Sequence, residues 1–301
     1  MCGGEVDGED VDSREVWRLG LETLAWERLP DLTHAGARHA CCVVRGGTLV
    51  ALGGRECQAQ VASARVEVLE RGTEAWRELP PLSCGGRDDF CAVAVKESGS
   101  VAGQVCTLGG INEEQEPLHA LCIVDLATGV CTPRPHIGMV RSDFAFLLLP
   151  DGRIIVAGGC SESDLALDSA EAWEPSSGAW RSLPGMGTAR DEISGCMLTD
   201  GRFAVFGGMN WSGYNEEYDQ AAHTESCEAL VLDNGSERWE PLPPMLEARS
   251  GFVRAAVGGC VIVAGGHGLS SAEVYEEATG VWRRLPCDLP RAMSRMSSAL
   301  L

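Results

Sequence analysis

The sequence predicts an all-β chain folded as a six-bladed propeller, and three recurrences carry that prediction. A diglycine closing a short apolar run returns at Gly3-Gly4, Gly53-Gly54, Gly109-Gly110, Gly158-Gly159, Gly207-Gly208 and Gly265-Gly266, in steps of 50, 56, 49, 49 and 58 residues. About 22 residues after most of these stands a tryptophan: Trp26, Trp76, Trp180, Trp239 and Trp282. An arginine followed by an apolar stretch comes next, at Arg38, Arg87, Arg141, Arg190, Arg249 and Arg295. Self-similarity at a fixed period of this length marks a repeat architecture.

Each unit reads as four short strands. The first is apolar, as in Phe144-Ala145-Phe146-Leu147-Leu148-Leu149, and a turn follows at Asp151-Gly152 or Asp200-Gly201. Asp-Gly supplies the positive φ that a two-residue hairpin needs. The second strand runs into the diglycine (Ile154-Ile155-Val156-Ala157-Gly158-Gly159), the third resembles Ala170-Glu171-Ala172-Trp173, and the fourth carries the tryptophan, as in Ala179-Trp180-Arg181-Ser182-Leu183. Four strands per unit of this size is the signature of a propeller blade. Glycines at the inner strand ends let backbones crowd together, and tryptophans fill the wedge between neighbouring blades.

Diglycine, an aromatic in strand three (Trp173, Tyr275), then tryptophan six or seven residues later resembles the kelch repeat, over nearly the whole chain. Two departures stand out: Thr132 occupies the expected tryptophan position of one unit, and several units lack the strand-three aromatic. The resemblance extends to the kelch domains of BTB-kelch and F-box-kelch adaptors. It implies a protein-interaction module, in its most specific form the substrate receptor of a cullin-type ubiquitin ligase.

The chain ends are complementary. Residues 1–30 hold a diglycine with third and fourth strands, and residues 295–301 hold an arginine and one apolar strand. The C-terminal strand is therefore expected to complete the N-terminal blade and close a single domain over 1–301. Only Met1 and Cys2 represent that blade's second strand, so either the closing blade has three strands or the chain is cut from a longer one.

Composition narrows the function. With 24 basic and 44 acidic residues the net charge is −20, which disfavours binding to a phosphate backbone. The longest apolar run, 144–149, is far short of the ~20 residues of a membrane helix. The N-terminus has neither basic nor apolar secretory regions. Many of the fourteen cysteines lie in apolar runs and none forms a C-x-x-C pair. Reduced buried thiols in the cytoplasm or nucleus, with no cysteine metal cluster, are the expectation.

Blade topology puts the loops after each diglycine on the same face as the connections carrying the repeat arginines. Arg38, Arg87, Arg141, Arg190 and Arg249, with Arg55 beside a diglycine, are therefore candidates for a guanidinium-lined mouth that binds an acidic protein or peptide. The competing expectation pairs each arginine internally, with Glu67, Glu171, Glu273 or a trailing acid such as Asp88, Asp89, Asp143, Asp191 or Glu192. An insertion at 209–223 adds Trp211, Tyr214 and Tyr218 to the same face, and exposed aromatics of this kind act as binding anchors.

Within that insertion Asn215, Asp219 and His223 recur four apart, as on one face of a short helix. The spacing resembles the iron site of kelch-fold nitrile-specifier proteins. Asp219 and His223 are thus candidate metal ligands for an alternative function, a metal-dependent lyase or isomerase. A neutral amide at Asn215 is a poor ligand for Fe(II). No P-loop or G-x-S-x-G is present, and the copper-radical chemistry of galactose oxidase lacks its tyrosine and histidine set. The chain is expected to need no cofactor and not to be an enzyme.

Overall fold

The computed structural model describes residues 1–7, 12–56, 61–95, 103–163, 165–210, 222–233 and 236–301. Every regular element among them is a strand. Six antiparallel four-stranded sheets follow one another: blade 1 over 40–79, blade 2 over 91–134, blade 3 over 145–183, blade 4 over 194–242, blade 5 over 253–284, and a sixth shared by the two chain ends. The predicted six-bladed propeller is the observed fold.

Blade 3 shows how the repeat builds a sheet. Ala145–Leu148 lies innermost, Ile154–Ala157 pairs with it, and Ala170–Glu174 and Ala179–Leu183 follow outward. Ile155, Val156 and Ala157 are almost fully buried, because blades pack face to face and cover both sides of the inner strands. Burial of a side chain such as Phe203 or Phe206, each 0% exposed, stabilises the fold by roughly 1.5–3 kcal/mol.

The tryptophans act as clamps between blades. Trp76, Trp180, Trp239 and Trp282 each donate the indole N–H to a carbonyl of the preceding connection, at Pro30, Pro135, Pro184 and Pro243 (2.8–3.0 Å), and Trp26 does so to Cys287 at 3.4 Å. The strand register corrects one expectation. Trp180 faces Trp173, Trp239 faces Leu230 and Trp282 faces Tyr275, and in blade 2 the facing pair is Val124 and Cys131. Cys131 therefore holds the tryptophan position, with Thr132 one residue beyond.

The second glycine of each pair lies under a neighbouring connection. At Gly110 (φ +94°) a Cβ would stand 2.4 Å from the Asp88 carbonyl oxygen and 2.6 Å from Phe90 Cβ. No other residue fits both that backbone and that space.

Closure joins the ends as expected, but in a four-stranded blade. Met293–Ser294 pairs with the end of Cys2–Val6, and Asp12–Gly20 and Ala25–Leu29 follow outward, while the C-terminal run expected as a strand contributes only the Cys2–Ser297 bridge. Cys2 N–H donates to Ser297 O (2.9 Å), and Ser297 N–H donates to Cys2 O (3.2 Å). The second strand contains the diglycine itself, with the register shifting between Cys2 and Gly4.

Candidate functional site: the mouth of the central channel

Just before each inner strand the chain turns through one residue of positive φ: Arg38, Asp89, Asp143, Glu192, Gly251 and Arg295. These six positions form a ring around the axis. Asp89 N–H donates to Arg38 O, Asp143 to Asp89 O, Gly251 to Glu192 O, Arg295 to Gly251 O and Arg38 to Arg295 O, at 2.7–3.2 Å. The ring residues and the inner strands line a channel of about 210 Å³.

The structure divides the repeat arginines into two classes. Arg38 and Arg295 belong to the ring. Arg87, Arg141, Arg190 and Arg249 stand two positions earlier, where their carbonyls accept from Gly54, Gly110, Gly159 and Gly208, and Gly36 and Met293 take that place in the remaining joints. All four side chains are 0–2% exposed. Arg141 donates to Gly158 O, Ser169 O and Glu171; Arg190 to Gly207 O, Ser226 O and Glu228; Arg249 to Gly265 O, Ser271 O and Glu273. Burial pulls the Arg141 and Arg190 guanidiniums below their usual value, against the hold of their glutamates.

The expectation that Arg87, Arg141, Arg190 and Arg249 face a partner is thereby corrected. Arg141, Arg190 and Arg249 are buried against carbonyls and a glutamate, and Arg87 against Thr107 and Cys84, so none of the four reaches the surface where a partner would dock. Arg55 is half-buried, donates to Gln115 and lies 3.7 Å from Asp88.

The mouth is instead dominated by acids. Arg38 donates to Glu5 (3.0 Å) and Asp89 (2.9 Å), while Arg295 holds Glu192 at 3.0 Å through Nε and Glu5 at 3.3 Å. Glu192 also meets His267 Nε2 at 2.7 Å and accepts from Ser250 Oγ at 3.1 Å. Although burial opposes it, the His267 and Arg295 contacts hold the Glu192 carboxyl well below the usual range. Despite its own burial, His267 is held above its usual value by Glu192.

Asp143 differs from its neighbours. It lines the channel, and no described side chain donates a hydrogen bond to it. Burial and the flanking charges of Asp89 and Glu192 push its carboxyl well above the usual range, because Arg38 and Arg295 are too weak an influence to offset them. Asp191, buried beside the ring, is pushed to about 7 by burial and Glu192. Around the ring, Glu5, Asp89, Asp143, Asp191 and Glu192 thus outnumber Arg38, Arg295 and His267, while Arg254 also lines the channel.

The insertion is only partly described. Trp211, Tyr214, Tyr218 and Asp219 lie outside the described residues. Its ends form a short ladder, Met209–Asn210 against Ala222–His223. His223 is therefore on a strand, while Asn215 lies with Asp219 outside the described residues. Its Nδ1 lies 3.0 Å from Ser250 Oγ and its ring stacks on His267 at 5.8 Å. Among the described residues no three His, Cys, Asp or Glu side chains are grouped to hold a metal ion.

Asp89, Asp143 and Glu192 were visible in the sequence only as acids trailing arginines. The usable signal was an offset: Arg38 and Arg295 run almost directly into their inner strands, whereas the other four stand two residues further back.

Comparison with known proteins gives the same fold. A solved structure titled "Structure of YjhT" superposes with a TM-score of 0.69 at 14% identity, covering 90% of this chain and 89% of that one. No curated protein matches the chain. Residues 148–187 match the model of the Kelch motif. They span blade 3 from the end of its inner strand, so the chain is a six-bladed β-propeller with a Kelch motif in blade 3.

Proposed function

We propose that this propeller is a protein-interaction module that docks a partner at the channel mouth and receives a basic side chain there. One observation carries the reading: Asp143, a channel-lining carboxyl with no donor of its own, lies between the charges of Asp89 and Glu192. An incoming guanidinium or ammonium would supply that donor and let the carboxyl ionise. This reverses the sign of the partner expected from the sequence, because four of the six candidate arginines are interior. In its finer form, supported by the resemblance to BTB-kelch and F-box-kelch adaptors, the module is the substrate receptor of a cullin ligase acting in the cytoplasm or nucleus. It binds its partner without transforming it.

Capture from source-cell lysate, comparing the native chain with Asp143→Asn, tests the reading. Asparagine conserves shape and removes the charge, so folding should be retained. Proteins with basic segments should be lost selectively from the variant, and cullin components among those retained would support the finer form. Identical recovery by both baits would refute the mouth as the docking site.

A further inference from the structure

Two positions that carry a glutamate and a tryptophan in blades 3 to 5 carry cysteine in blade 2. The third-strand residue facing the buried arginine is Glu171, Glu228 or Glu273 in blades 3 to 5, and in blade 2 it is Cys122. The outer-strand tryptophan position is Cys131. In the preceding connection, Cys84 stands two residues after buried Leu82, as Met139 follows Ile137 and Glu247 follows Met245.

In blades 3 and 5, Met139 and Glu247 donate their backbone N–H to the third-strand glutamate. In blade 2 the same place brings Cys84 Sγ to 2.7 Å from Cys131 Sγ and 3.0 Å from Arg87 Nη2. The connection is held on the blade by Ser83 N–H donating to Gly129 O and by Cys131 N–H donating to Ser83 Oγ, both 2.9 Å. Cys84 is exposed, Cys131 half-buried and Cys122 buried.

The structure assigns Cys84 and Cys131 as a reversible dithiol–disulfide site, set against the Arg87 guanidinium and opened to solvent by Cys84. Two sulfurs already in contact, on adjacent and mutually fastened segments, are placed to bond. The hydrogen bond to Cys122 holds the Cys84 thiol above its usual value, and the Arg87 guanidinium works against that by favouring the thiolate that performs the attack. The same hydrogen bond from Cys84, aided by Arg87, draws the Cys122 thiol down to about 7.

The oxidant is a hydroperoxide. The Cys84 thiolate sulfur attacks the peroxide, the O–O bond breaks, and Cys84 becomes a sulfenic acid while the departing hydroxide is protonated to water. The Cys131 sulfur then attacks the sulfenic sulfur, the S–O bond breaks, and the hydroxyl leaves as water with the Cys131 proton. Two thiols and one hydrogen peroxide yield one disulfide and two waters, and an external dithiol reverses the change by exchange.

The test treats the reduced full chain with one equivalent of hydrogen peroxide, alkylates the remaining thiols, and maps the peptides without reductant. Trypsin releases Cys84 between Arg77 and Arg87, and cleavage before Asp125 separates Cys122 from Cys131. The expected product is Cys84 linked to Cys131, with two of fourteen thiols lost and both restored by dithiothreitol. Cys131→Trp, which reinstates the residue of the sister blades, should fold and lose the link. Recovery of Cys84 free, as a sulfinic or sulfonic acid, or bonded to Cys122 would overturn the assignment. So would an unchanged loss of two thiols in Cys131→Trp.

Discussion

Replacing Arg249 by methionine should destabilise the protein far more than its place in a connection suggests. Arg249 is 1% exposed and Glu273 1%. The guanidinium donates to two carbonyls, to Ser271 Oγ at 2.6 Å and to Glu273 at 2.7 Å. Methionine preserves most of the volume but leaves the Glu273 charge buried with only the Leu246 and Glu247 N–H donors. Breaking one side of a buried pair costs about 3–5 kcal/mol. At roughly 2 °C per kcal/mol for a domain of this size, Tm should fall by about 6–10 °C.

Calorimetry on Arg249→Met, Glu273→Gln and the double variant checks the assignment. The double variant should lose about 2 kcal/mol less than the two singles added, because the second change relieves the orphaned charge left by the first. Arg18→Met serves as a control. Its pair with Glu27 is exposed on both sides, 51% and 63%, and an exposed pair contributes about 1 kcal/mol or less. A loss below about 1 kcal/mol in Arg249→Met, or additive singles, would refute the view that these arginines are interior struts.

Three further outcomes are expected. Deleting 292–301 removes buried Met293 and Met296 and the Cys2–Ser297 bridge, so it should cost at least about 3–6 kcal/mol from the two side chains alone; an unchanged melting curve would contradict closure. Gly110→Ala should leave little folded protein in circular dichroism, whereas Gly201→Ala, with open space around it, should cost only about 1 kcal/mol for its positive φ. In the third, Asp191, pushed to about 7 by burial, binds its proton more tightly folded than unfolded. Stability from this group should therefore decline as pH rises from about 4 to about 7, and Asp191→Asn should flatten that slope in denaturant titrations. His267, raised by Glu192, acts in the same sense: its contribution is complete below its unfolded value and is lost as pH climbs through the folded one. Binding of an arginine-bearing peptide should follow the opposite trend, strengthening as pH rises, because Asp143 must give up its proton to pair.

The fold was legible because its determinants are local and recur along the chain. The diglycine before a turn returns six times, the outer-strand tryptophan five and the Asp-Gly hairpin turn twice; each has a short-range cause, and a single failure is outvoted by the other blades. Register was less legible. Thr132 and Cys131 are neighbours, and only pairing of Cys131 with Val124 shows which one stands in the tryptophan's place. The offset between Arg38 and Arg141 is two residues of chain, yet it separates a side chain at the channel mouth from one sealed between strands.

By itself the sequence determined an all-β propeller, its blade count, the joining of its ends and the face on which its connections gather. Tertiary structure alone decided the sign of the candidate site. Whether a guanidinium meets a ligand or a carbonyl depends on which groups 16 to 38 residues further along the chain fold back onto it, and that convergence leaves no local trace. The same holds for the thiols: Cys84, Cys122 and Cys131 are ordinary along the chain, and become a cluster only where blade 1's exit is fastened onto blade 2.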